Sequence, residues 1–192
     1  MKKIIYFTFI ASAVCLMQAC GGPRDSKTKA DSVNALKADI ATKDSTMVID
    51  KDDAKFAVAA ANGGMAEVEL GNLAQEKAVN LKVKDFGAMM VKDHSKVNDE
   101  LKALAKSKGI TLPDALDNDM QKIKNDLSAK SGANFDKAYV SNMIDDHKTD
   151  IKEFEKAAGN CKDPDLKAFA KNTLPTLKLH LAAIQKIHNG MK

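Results

Sequence analysis

A chain of 192 residues with 30 basic and 26 acidic side chains, for a formal net charge of +4, suits one ordinary domain with short extensions. Its composition is 44% hydrophobic and 29% charged, with 5% aromatic residues and no tryptophan, which favours helices over sheets. The small positive surplus is spread along the chain without a basic block interleaved with aromatics, and this excludes a nucleic-acid binder.

The chain opens with Lys2 and Lys3 before an apolar run at 4–17, the pattern of an export signal too short to span a membrane. The run ends at Leu16-Met17-Gln18-Ala19-Cys20. That stretch resembles a bacterial lipoprotein box, with Met17 where the pattern has Leu and Leu16 displaced by one position. The resemblance implies that residues 1–19 are removed and that Cys20 carries lipid. The protein would then be anchored in the cell envelope, in the periplasm or at the outer membrane of a Gram-negative bacterium, with the membrane as its partner. A plain secretory signal with an incidental Cys20 is the competing reading.

Of the three cysteines, Cys15 falls in the removed segment and Cys20 in the anchor, leaving Cys161 alone. No internal disulfide can then form, so the fold must be held by its core. Cys161 has no His or acid motif around it, and it is read as incidental rather than catalytic.

Residues 20–51 are rich in Ser, Thr, Asp, Lys and Ala and read as a flexible, solvated tether. Val33, Leu36 and Ile40 would support at most a weak amphipathic helix there. The folded domain is expected over 52–190, starting at the acidic pair Asp52-Asp53. A first long helix to about residue 78 places Phe56, Ala60, Gly63, Glu67, Leu70 and Ala74 on one face. A second, over about 81–108, carries Val83, Met90, His94, Val97, Leu101 and Leu104 in one row and stops at Gly109. Leu116, Met120, Ile123 and Leu127 then predict a short helix. A third long helix, over about 134–158, aligns Val140, Ile144, His147, Ile151 and Phe154. The last starts at Asp163-Pro164 and aligns Leu166, Ala170, Thr173, Leu177, His180 and Ile184, with Pro175 predicting a kink.

No stretch carries a strand pattern. The connection between the second and third long helices, roughly two dozen residues, is long for a bundle. The expectation is an all-α, antiparallel four-helix bundle of ferritin-like type, with a short extra helix in its crossover.

Each long helix contributes one polar, metal-competent residue to its apolar row: Glu67, His94, His147 and His180. All four lie near the midpoints of their helices, and antiparallel packing keeps midpoints level, so one core layer can hold them together. Buried polar groups need partners, and imidazoles with a carboxylate suit a single Zn, Fe or Mn ion. Asp150 and Thr176, one turn from His147 and His180, are candidates to orient the rings. Against this stands a structural reading, in which a buried His–Glu pair satisfies itself and fixes helix register.

The Glu-x-x-His pattern of di-iron bundles is missing, since Val91 precedes His94 by three and Ile144 precedes His147 by three,. Scarce aromatics disfavour a bis-His haem. Met65, Met89, Met90, Met120 and Met143 read as core filler rather than a copper box. No Ser–His–Asp set, Gly-rich phosphate loop or paired-Cys motif occurs. The residues therefore favour a protein that is not an enzyme, and no catalytic residue is assigned.

Phe56-x6-Gly63-Gly64-Met65-Ala66-Glu67-Val68-Glu69-Leu70-Gly71, Met90-Val91-Lys92-Asp93-His94, Phe135-Asp136-x2-Tyr139, His147 and Leu174-Pro175-x4-His180 together resemble the bacterial family called domain of unknown function 4142. The resemblance covers about 52–187. It implies an exported protein with a ferritin-like fold, Glu67, His94, His147 and His180 as the matching positions, and no established activity. The expected function is an envelope protein binding a metal ion in its core. The alternative is a non-enzymatic envelope interaction or stress-protection protein whose core His and Glu residues are structural.

Overall fold

A computed structural model describes residues 25–41 and 49–191. The expected signal peptide (1–19), Cys20 and the stretches 21–24 and 42–48 of the expected tether lie outside the described residues. Within them every regular element is an α-helix: α1 (Ser26–Ala41), α2 (Lys51–Lys77), α3 (Leu81–Ser107), α4 (Asn118–Ser128), α5 (Gly132–Asn160) and α6 (Pro164–Asn189). None is long and apolar enough to cross a membrane.

The helix boundaries follow from their caps. Asp50, rather than Asp52 or Asp53, caps α2 by accepting from the backbone N–H groups of Asp52 and Asp53,. Asn80 caps α3 through Lys82 N–H. Asp163 caps α6 through Asp165 and Leu166, with Pro164 in the first turn, where a missing N–H breaks no helical bond,. Beyond α3, Gly109 has φ 67, the left-handed conformation that closes a helix C-terminus. Helix α6 continues through Pro175. Pro175 and Lys171, whose carbonyl it leaves without a helical partner, are both exposed, so water can satisfy that carbonyl.

Residues 78–80 join α2 to α3 and residues 161–163 join α5 to α6. With links this short, each packed pair must be an antiparallel hairpin. The hairpins pack α2 against α5 and α3 against α6, and α4 lies over α2 and α5. Two buried carboxylates tie the hairpins at opposite ends. Asp53, at the start of α2, accepts from Lys162 N–H at 3.1 Å and Asp163 N–H at 2.7 Å in the α5–α6 turn. Asp136, at the start of α5, accepts from Val79 N–H at 3.2 Å and Asn80 N–H at 2.9 Å in the α2–α3 turn. Those ties fix directions: α2 runs parallel to α6, and α3 runs parallel to α5.

The described helices number six, one more than the four long helices and one short helix expected from the sequence. The addition is α1. It docks by Ala30, Asn34 and Ala38, which are buried, whereas Leu36 and Ile40 are 63% and 72% exposed. Asn34 gives an amide N–H to the Thr111 carbonyl and accepts from Thr111 N–H, both at 2.8 Å. A search for apolar periodicity looks past a face built of small and amide side chains.

The core is divided. One apolar cluster contains Ala57, Leu101, Phe154, Leu166 and Leu177. The other contains Leu70, Met90, Phe135, Tyr139, Met143 and Ile184. On every long helix the stretch between the two clusters carries one buried metal-competent residue of the apolar row, Glu67, His94, His147 or His180, and those four residues form one layer.

Candidate metal centre

Helix α2 approaches the layer with little side-chain bulk. A Cβ added to Gly71 would lie 2.7 Å from the Gly87 carbonyl oxygen, and one on Gly87 would lie 2.7 Å from the Gly71 carbonyl oxygen. Backbones this close need glycine on both sides. One turn before Gly71, Glu67 Oε2 stands 2.6 Å from His94 Nδ1 of α3. A contact that short holds a proton between the two atoms.

The other rings are tied from outside the layer as well. His147 Nδ1 lies 3.0 Å from the Met143 carbonyl, so that nitrogen carries the proton and donates. His180 Nε2 lies 3.0 Å from Asp93 Oδ2, an imidazole N–H donating to a carboxylate. Each ring therefore has one nitrogen committed and one left over. The remaining nitrogens, His94 Nε2, His147 Nε2 and His180 Nδ1, are buried with no hydrogen-bond partner among the described residues, as is Glu67 Oε1. Glu67 Oε1 and His147 Nε2 lie 3.4 Å apart without hydrogen-bonding geometry. Ring centroids are separated by 5.2 to 5.9 Å. The three histidines each offer a ligand atom within 4.8 Å of the others, and Glu67, Asp146 and His147 form a second such group.

Burial sets the protonation states. It pushes His94 down to about 4 against the pull of Asp146 and Asp93. It pushes His147 down to about 3, with His94 and His180 adding to the effect. His180 is lowered for the same reason. Burial, reinforced by Asp146, holds the Glu67 carboxyl well above its ordinary range. Asp146 rises to about 6 and Asp150 is also raised, both chiefly through burial. Neutral imidazoles are the state in which histidine binds a metal. Buried carboxyls that keep their protons are acids lacking a nearby cation. The tied outer nitrogen on each ring is the arrangement that fixes tautomer and orientation at a metal site. These residues fit a single divalent ion.

The structure brings Glu67, His94, His147 and His180 into one layer, each 3% exposed or less. Asp150 and Thr176 do not take the orienting roles expected of them, because the Met143 carbonyl and Asp93 hold His147 and His180 instead. His188 is exposed and outside the layer. Burial raises the Cys161 thiol to about 12, so it stays protonated and unreactive at neutral pH. Sequence reasoning passed over Asp93 and Asp146, although a signal was present. Helices α3 and α5 carry one pattern twice, Phe86-x3-Met90-x2-Asp93-His94 and Tyr139-x3-Met143-x2-Asp146-His147. The two helices run parallel, and the first residues of the pattern, Phe86 and Tyr139, meet at 6.4 Å.

A family model described as Domain of unknown function (DUF4142) matches residues 38–187. No curated protein and no solved structure matches the chain.

Proposed function

The chain belongs to the DUF4142 family, whose description names no activity, and we propose that it is a metal-binding protein holding one Zn, Fe or Mn ion in the core of a ferritin-like four-helix bundle. The observation that carries this reading is a trio of histidines that each offer a ring nitrogen within 4.8 Å of the others and each keep one ring nitrogen buried with no partner among the described residues, while the other nitrogen of the ring is tied. A self-satisfied structural core would leave none of them open. Glu67, His94, His147 and His180 are the ligands. The ion would offset the charge of a deprotonated Glu67 and bind rings already neutral and oriented. The ferritin-like assignment is supported by two antiparallel hairpins linked through a long crossover, with the second and third long helices running parallel.

The protein is further proposed to be exported and lipid-anchored through Cys20 in the cell envelope, on the strength of the lipoprotein-like stretch at 16–20. Mass spectrometry of the mature N-terminus tests that assignment. A diacylglyceryl-modified Cys20 is expected, and a free thiol or cleavage elsewhere refutes it.

For the metal, elemental analysis of protein purified from its native envelope is expected to find one ion per chain, lost in His94→Ala and in His147→Ala. Sub-stoichiometric metal, unchanged by both substitutions, would favour the rival reading. In that case the Glu67–His94 contact fixes helix register and the protein acts through interactions at its surface.

A further inference from the structure

Beside the layer lies a cavity of about 10 Å³, lined from all four long helices and including Glu67 and His94. That is the room of about one water molecule. Its other polar walls are Asp150 of α5 and Thr173 of α6, and Phe154 and Leu177 close the apolar side. Asp150 and Thr173 have no part in holding the rings. The Thr173 hydroxyl donates to the Phe169 carbonyl at 2.8 Å and keeps its lone pairs for another donor.

Two residues of the lining carry a buried atom with no partner among the described residues, His94 (Nε2) and Glu67 (Oε1), and Asn98, outside the lining, carries a third at Oδ1. Asn98 packs directly on Gly64, which is part of the lining, and a Cβ there would overlap its amide. Apolar cores close such gaps, whereas a polar one with unmatched acceptors calls for a small hydrogen-bonding molecule. With Glu67 and three imidazoles as ligands, a water would be the fifth, a coordination number that open metal sites reach and closed structural ones do not.

We infer that this cavity seats one small exogenous ligand of the bound ion, a water, held on its outer side by Asp150 and Thr173. The inference rests on the metal reading above. It makes the centre an open one, with one coordination position that the protein does not fill.

The test is pulsed electron paramagnetic resonance on the full chain loaded with cobalt(II), in water enriched in oxygen-17. The expected result is one cobalt per chain with a resolved oxygen-17 coupling. In Ala60→Leu, which fills the cavity from α2, the coupling should vanish while cobalt stays bound. Leu177→Phe fills it from α6 and serves if the first variant does not fold. Absence of cobalt binding in the wild type would overturn the metal reading and this inference together. Stoichiometric cobalt without the oxygen-17 coupling, or a coupling that survives the filled cavity, would overturn this inference alone.

Discussion

Glu67 is 1% exposed, and its carboxyl is held well above its ordinary range by burial and by Asp146. In the folded, metal-free protein it keeps a proton that the unfolded chain releases above about 4.5. The folded state binds the extra proton, so Glu67 contributes stability below that pH, and the contribution is lost as pH rises through the window up to its raised folded value. Glu67→Gln should therefore match the wild type near pH 4 and exceed it increasingly toward neutral pH, as read from urea unfolding of chelator-treated protein. A constant gap across that range would mean that Glu67 is ionised in the metal-free fold. The positions of Glu67 and the three rings were legible in the sequence because a 3.6-residue period decides which side chains face inward. Their partners were legible only in part: the doubled Asp-His pair marks Asp93 and Asp146, but Asp93 is on α3 while the ring it holds is on α6, a contact across 87 residues that no local pattern encodes.

Among the helices, the close pair α2 and α3 is the most exacting. In Gly71→Ala the new methyl group meets the Gly87 carbonyl oxygen at 2.7 Å, forcing the backbones apart at a cost of about 2 kcal/mol. Because Gly71 is one turn from Glu67, the same change should widen the Glu67–His94 contact and weaken metal affinity. Urea unfolding and metal titration would read the two effects. Asp136→Ala acts elsewhere. It strips the backbone N–H groups of Val79 and Asn80 of their acceptor, costing about 2 kcal/mol, and should leave metal stoichiometry at one. Loss of the ion in this variant would show that the clamp and the centre are coupled. The four long helices were legible from their rows and stop signals. The docking of α1 was not, because its inward face of Ala30, Asn34 and Ala38 has little apolar area and depends on an amide pair with Thr111. The helix starts at Asp50 and Asp163 were partly legible. Three acids crowd the start of α2, and only the structure separates the cap, Asp50, from the clamp, Asp53.

For the molecule as a whole, a ligand that binds only the folded state adds stability by mass action. At about a hundred times its dissociation constant the ion should contribute about 2.7 kcal/mol. For a domain of this size that corresponds to a rise in Tm of roughly 8 °C. Differential scanning calorimetry with and without a chelator would measure it, and an unchanged Tm at saturating metal would count against a core site. The all-α class was legible from composition and period alone. The level at which the polar layer sits was legible only because the four midpoints coincide.

Each hairpin carries half of the layer: Glu67 and His94 on α2 and α3, His147 and His180 on α5 and α6. Hairpins are built from local contacts and can form early, whereas the layer exists only once the two halves meet. An ion there bolts together halves that have already folded. It should therefore leave the rate of folding nearly unchanged and slow the rate of unfolding, since the contacts it makes are absent until the last step. Stored metal-loaded, the protein would outlast its metal-free form by more than the equilibrium difference at the melting point alone suggests.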